Sequence, residues 1–201
     1  MGQQQLLLTR QHIMWQWQVP GEHGLEYLEL YTNVDVVRAN SCVIGIADAH
    51  PFHLQYIVQC GSDFQLHIAE LQIHTPNKRN LSLIRSPAGD WIDVDGNVLT
   101  DLHGCSEIDI EVSPFTNTLP IRRLALRPGQ STEIYVAYIA IPALDVRPER
   151  QRYTFLAETN TTQLYRYESL TSGFTAEIVV DHNGLIIEYP GIFTRVWPTA
   201  I

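Results

Sequence analysis

The sequence predicts a mainly β protein: a single curved antiparallel sheet forming a half-barrel or incomplete barrel, carrying one or a few short helices. Three observations carry that expectation. Apolar residues recur with a period of two through much of the 201-residue chain, Asp95-Gly96 and Asn183-Gly184 are strong two-residue hairpin signals, and no long stretch holds the 3.6-residue period of an amphipathic helix. A meander of so many strands leaves edges open, and curling the sheet on itself limits that exposure. With 45% hydrophobic and 17% charged residues, the composition is that of an ordinary globular protein and excludes disordered and collagen-like classes. No linker, repeat or compositional break interrupts it, so residues 1–201 read as one β domain.

Taken in order, Trp15 and Trp17 share one face of the first strand. Phe52, Leu54, Tyr56, Val58 and Cys60 alternate with His53, Gln55 and Gln59. Phe64, Leu66 and Ile68 continue the pattern, but Leu71 and Ile73 are out of phase with them, which predicts a bulge near Ala69-Glu70. Ile108, Ile110 and Val112 alternate with Glu107, Asp109 and Glu111, an apolar face opposite a carboxylate face expected to be solvated or paired with Arg. Thr116–Leu124 is the best helix candidate, with Thr116, Asn117 or Thr118 as cap and Pro120 in the first turn. Glu133–Ile141 is apolar on both faces, which predicts a strand covered on both sides or lining a cavity. Phe174, Ala176, Ile178 and Val180 alternate with Thr175, Glu177 and Asp181. Cys60-Gly61-Ser62 and Pro128-Gly129 are weaker turns, and Pro142, Pro148 and Pro190 are expected at strand ends, where a missing N–H costs least.

The charge balance narrows the partners. Thirteen Lys and Arg against 22 Asp and Glu give −9, with no basic run to offset it, so nucleic acid is not expected as a partner. Lys78 is the sole lysine; the Arg bias favours fixed ion pairs, because guanidinium forks carboxylates in a plane. Cys42, Cys60 and Cys105 are odd in number and lack a C-x-x-C spacing, so buried free thiols in a reducing cytoplasm are expected. The apolar run Leu6-Leu7-Leu8 is too short for a signal-peptide core or a membrane span. Gly2 lacks the Ser or Thr at position 6 that myristoylation requires.

Several chemistries fall to their own spacing. In GDWIDVDGNVLTD, counting back from Gly96 puts Trp91 where a calcium loop needs its first acidic ligand, so Asp93 and Asp95 read as turn chemistry. His50 and His53 form a two-ligand corner without a second pair, so no metal is expected. No nucleophile elbow, H-E-x-x-H, Walker loop or dinucleotide fingerprint occurs, and no catalytic residue or cofactor is assigned. Asp90, Asp93 and Asp109 remain as an acid–base alternative.

The block Ser113-Pro-Phe-Thr-Asn-Thr-Leu-Pro-Ile-Arg-Arg-Leu124 is long and peculiar. With it go Trp15 and Trp17, Gly21-Glu22, Gly89-Asp90-Trp91 before Asp95-Gly96, and Leu102-His-Gly-Cys105 leading to Ile108-Asp109-Ile110. Tyr138-Ile139 with Pro142, Gln151 with Tyr153, and Asp181 with Tyr189-Pro190-Gly191 complete the set. On these residues the chain resembles the bacterial "putative glycolipid-binding" family, formerly a domain of unknown function. The resemblance implies a half-barrel similar to lipoprotein-localisation factors and mycobacterial lipid carriers, and, by that shape, a lipid or glycolipid ligand.

The expected function is therefore non-enzymatic binding of a lipid or glycolipid in an apolar cavity of the half-barrel. A protein-interaction module with a filled core, whose sheet edges pair in a homodimer, and a hydrolase-like enzyme are the alternatives. Expected ligand contacts are aromatic (Trp15, Trp17, Trp91, Tyr138, Tyr153 and Tyr167), since ligand sites are largely apolar with a few placed polar groups. Arg122 and Arg123 are candidates for an anionic head group, with Thr116 and Asn117 for sugar hydroxyls. Against this, Arg122 and Arg123 equally suit internal pairing with Glu107, Asp109 or Glu111.

Overall fold

A computed structural model describes residues 9–47 and 49–199; Gly2 and Leu6–Leu8 lie outside these residues. Among the described residues, fourteen strands form one sheet. The first six are β1 (Thr9–Trp17), β2 (His23–Thr32), β3 (Val36–Ala47), β4 (His50–Gly61), β5 (Leu66–Thr75) and β6 (Arg79–Arg85). They form a plain meander of hairpins that ends at the two-residue β7 (Trp91–Ile92). The chain then crosses, through a 3₁₀ turn at Thr100–Leu102, to β8 (Cys105–Ile110) at the far edge. After α1 (Phe115–Leu124) come β9 (Ser131–Ala140), β10 (Asp145–Glu158), β11 (Thr162–Ser169), β12 (Thr175–Asp181), β13 (Ile186–Tyr189) and β14 (Phe193–Trp197). β14 pairs with β1 and joins the two halves. All pairings are antiparallel except β8 with β9.

The sheet curls far round but does not close. Its edges are bridged by side chains instead of a ladder. Cys105 O on β8 accepts from Arg85 Nη1 at 2.7 Å and Trp91 Nε1 at 2.9 Å, while Arg79 Nη1 at the other end of β6 donates to Ala143 O beyond β9. Groups that an open edge would leave unpaired are thus partly satisfied.

Alternation sets the core. Phe52, Leu54, Tyr56, Val58 and Cys60 all face inward and are buried. The phase change in β5 falls at His67, two residues earlier than expected: Gln59 pairs with Ile68 and Cys60 with Leu66, leaving His67 extra. Phe64 is a turn residue at φ 64°, outside the strand that the apolar pattern had extended to include it. Gly96 and Gly184 adopt the positive φ their hairpins require. Pro148 lies inside β10 rather than at its end. Pairing with β11 begins only at Gln151, so Pro148 has β9 alone as neighbour and breaks no second ladder. β9 is not covered on both faces, because Tyr135 is 48% exposed.

The helix fills the concave face of the sheet. Phe115 to Ile121 are all buried, although three of them are Thr116, Asn117 and Thr118. These residues do not cap: Pro114 occupies the N-cap, Pro120 lies in the interior, and the polar side chains turn to the sheet. Thr116 Oγ1 donates to Ser113 O (3.0 Å) and to Asp109 (3.2 Å), and Tyr153 Oη donates to Asn117 Oδ1 at 2.9 Å. The interior expected to be a greasy vault is therefore occupied by α1 and its polar ties.

Two carboxylates of β8 turn inward to the helix: Glu107 is fully buried and pairs with Arg123, and Asp109, half-buried, meets Thr116 and Gln151. Glu111, just past the strand, is exposed and accepts from Ile141 N. Ile108 and Ile110 on the other face are buried as well, so this strand alternates without a solvent side.

Candidate functional site

β1, β3, β9, β11 and β13 all run toward one end of the sheet, where their hairpins gather, and three clefts lie there. Helix α1 starts at this end and runs to the opposite one. There Arg122 lies 5.0 Å over the Phe64 ring and donates to His182 O at 3.2 Å, while Arg123 is tied to Glu107 and Ser106. The two arginines thus sit at the far end from the clefts, and Arg123 takes the internal pairing that the sequence left open.

The first cleft holds about 290 Å³. Tyr138, Tyr167, Tyr189, Phe174 and Phe193 supply its aromatic wall, and Tyr189 lies 6.0 Å from both Tyr167 and Phe193, edge to face in each case. Its polar wall is Asp109, Glu111, Glu149, Arg147 and Asn117. The Arg147 guanidinium stacks 4.3 Å over the Tyr138 ring and bonds Glu149 Oε1 at 2.8 Å, which fixes both in place. Asp109 accepts from Gln151 Nε2 at 2.6 Å. Burial pushes its carboxyl up to about 6; Gln151 and Thr116 act against that, and Glu149 and Glu111 add to it. Burial likewise pushes the hydroxyls of Tyr138, Tyr167 and Tyr189 well up, so they stay protonated donors. The cleft offers flat rings beside several carboxylate acceptors and hydroxyl donors. That combination suits a sugar, whose C–H face packs on an aromatic ring while its hydroxyls find acceptors at the rim.

A second cleft of about 160 Å³ shares Glu111, Ile192 and Phe193 with the first and adds Trp17, Val112 and Ile141. A third, of about 530 Å³, shares Trp17 and is walled by Phe52, Leu25, Ile44, Ile46 and Pro51. Trp17 and Phe52, 5.8 Å apart, lie against backbone: a Cβ on Gly24 would fall 2.3 Å from the Trp17 ring, and one on Gly45 2.9 Å from Phe52. Gly24→Ala should accordingly destabilise the protein by about 1–3 kcal/mol through overpacking, read as a lower urea midpoint; an unchanged midpoint would mean that Trp17 is not seated there. A separate groove of about 620 Å³ lies on the outer face of β3–β6, lined by amides such as Asn40, Gln55, Gln72 and Asn80.

Of the residues expected to bind ligand, Asn117, Tyr138 and Tyr167 meet in the first cleft, and Trp17 lines the other two. Trp15, Trp91, Tyr153 and Thr116 are core residues: Trp15 Nε1 donates to Ile186 O and Trp91 Nε1 to Cys105 O. Asp109 faces the first cleft, whereas Asp93 accepts the backbone N–H groups of Asp95 and Asn97 in its own turn. Glu149, Arg147 and Tyr189 went unnoticed as ligand contacts. Glu149 is in phase with Gln151, Tyr153 and Phe155 along β10, a signal that becomes readable once the inward parity is known. Among the described residues, no group of three acidic, His or Cys side chains could hold a metal, and no helix is long and apolar enough to cross a membrane.

A family model described as "Putative glycolipid-binding" matches residues 13–195. The chain is 39% identical to a DUF1089 family protein from Pseudomonas aeruginosa of known crystal structure. That alignment covers 85% of this chain and 92% of the other, with a TM-score of 0.76. No curated protein matches.

Proposed function

Since the chain belongs to this "Putative glycolipid-binding" family, we propose that it binds a glycolipid without transforming it, holding the carbohydrate head in the tyrosine- and carboxylate-lined cleft. The single observation that carries this reading is the composition of that cleft. Tyr138, stacked beneath Arg147, and Tyr167 flank Asp109 and Glu149 in a space of about 290 Å³, enough for a sugar unit and well short of a whole lipid. In this reading residues 1–201 act as one binding domain, and three free cysteines support a reducing, cytoplasmic setting.

Native mass spectrometry of the purified protein, before and after titration with a bacterial glycolipid extract, tests the proposal. Bound glycolipid is expected. Tyr138→Ala, at a half-buried position on the cleft wall, should weaken that binding about tenfold, the loss of a ring contact of roughly 1.4 kcal/mol. Arg122→Ala, at the other end of α1, should leave it unchanged. Only the bare chain mass after titration, or equal binding by Tyr138→Ala, would overturn the proposal.

A further inference from the structure

We infer that the tyrosine- and carboxylate-lined head cleft selects a positively charged head, an amino sugar bearing a free ammonium group; this rests on the reading above and names the class of sugar. The first observation is the state of the carboxylates. Asp109, Glu111 and Glu149 share the cleft with a single arginine, Arg147. That arginine is already committed, since its Nε and Nη2 both donate to Glu149 Oε1 and its guanidinium covers the Tyr138 ring. Asp109 is bonded by Gln151 and Thr116, and Glu111 by Ile141 N, all of them neutral donors. Among the described residues neither carboxylate forms an ion pair, whereas Glu107, Glu133 and Asp181 each have an arginine. Two negative charges in the cleft wall are thus left without a cation.

The second observation is the arrangement of the rings. Tyr167, Phe174 and Tyr189 stand 6.0–6.3 Å apart, centroid to centroid, and are inclined at 35–64° to one another, so none stacks flat on the next. Phe174 is 40% exposed and brings its ring to the rim. Aromatic faces attract an ammonium ion, and the attraction grows as water is excluded. A neutral sugar seated here would strip water from Asp109 and Glu111 and leave both charges unbalanced. An ammonium group offsets that loss by pairing with the carboxylates while the carbons beside it rest on the rings. A metal ion does not fit, because among the described residues no group of three ligands could hold one. Asn117, Ser169 and Ser172 add neutral hydrogen-bonding groups to the same cleft, which suit the remaining sugar hydroxyls.

Saturation-transfer NMR near pH 7 with methyl β-glucoside, its 2-amino analogue and the N-acetylated form of that analogue compares three heads that differ only at C2. The 2-amino sugar should bind about tenfold more tightly than either neutral one, and about 0.5 M NaCl should erode that preference alone. Asp109→Asn and Glu111→Gln each remove one charge at nearly constant shape, and each should lower the ratio about threefold. Glu111 is exposed, so its variant keeps the test open if Asp109→Asn folds poorly. Arg122→Ala, at the other end of α1, should leave the ratio unchanged. Equal binding of the three sugars, or a ratio that neither carboxylate substitution moves, would overturn the charge assignment and leave the carbohydrate reading standing. Choline is the fourth probe. If it binds as well as the 2-amino sugar while methyl β-glucoside does not bind, the cationic assignment stands and the carbohydrate reading falls. Binding by none of the four would overturn both.

Discussion

Replacing Arg123 with Met should lower the unfolding free energy by about 3–5 kcal/mol near pH 8, a large fraction of the total stability of an ordinary domain. The reason is the state of its partner. Glu107 is fully buried on β8, its Oε1 is bonded by Arg123 Nε, and its Oε2 finds no partner among the described residues. Burial already pushes this carboxyl up to about 7, with Arg123 and then Arg85 acting against the rise. Without Arg123 the charge is stranded, and folding must either bury it bare or take up a proton. The cost should therefore shrink toward pH 5, where the group is neutral in any case. A double variant, Glu107→Leu with Arg123→Met, should recover most of the loss, since an apolar pair of similar volume replaces a buried ion pair at little cost. Urea midpoints of the three variants at the two pH values decide the matter. A loss below about 1 kcal/mol for Arg123→Met near pH 8, or no recovery in the double variant, would show that the pair does not hold the C-terminal turn of α1 against β8.

That pair also shows where sequence reasoning reaches and where it stops. The helix was legible to within a residue, although the Thr116, Asn117 or Thr118 cap that marked its start lies inside it, behind Pro114. The inward faces of β4 and β12 were legible because every second residue there is apolar, although Ile57 and Val179 interrupt the polar face. Along β8 the alternation is clean, yet the carboxylate face points to the helix, since a strand beneath a buried helix has no solvent side. The period gives parity, and parity alone cannot say which face meets water. The pairing of β1 with β14 and the parallel step from β8 to β9 are long-range choices with no local signature. The head cleft is assembled from β8, β9, β10, β11, β13 and the hairpins at their ends, so its members could be named only singly, as Tyr138 and Tyr167 were. Glu26, outside that cleft, went unnoticed although its position was readable. It lies in phase with Leu28 and Leu30 on β2, a carboxylate on an apolar face.

Acidification from about pH 8 to about pH 5 should make this protein more stable, the reverse of ordinary acid denaturation. Glu26 is fully buried and accepts from Tyr56 Oη at 2.5 Å, Ser41 Oγ at 2.7 Å and Ser113 Oγ at 3.0 Å, yet burial outweighs these bonds and pushes its carboxyl up to about 7. Glu107 is pushed up to about 7 and Asp109 to about 6, in both cases chiefly by burial. A carboxyl whose folded value is raised binds its proton more tightly in the native state. Its stabilising contribution is complete below the unfolded value and is lost as the pH rises through the folded value. For Glu26 and Glu107 the swing is on the order of 3 kcal/mol each, gross, between about pH 4.5 and pH 7. Carboxylates held low by surface partners, Glu29, Asp93 and Glu133, act in the opposite sense, but only below the usual carboxylate range. The two effects therefore occupy different windows, and urea midpoints should climb from pH 8 to pH 5 before falling in stronger acid. Glu26→Gln isolates one contribution. The new amide carbonyl can still accept the three hydroxyls while the charge is removed, so the substitution should stabilise near pH 8 and change little near pH 5. Midpoints that fall steadily on acidification, or a Glu26→Gln variant equally destabilised at both pH values, would mean that these groups are ionised in the native protein and that Ser113, at the entry to α1, is anchored by a full charge.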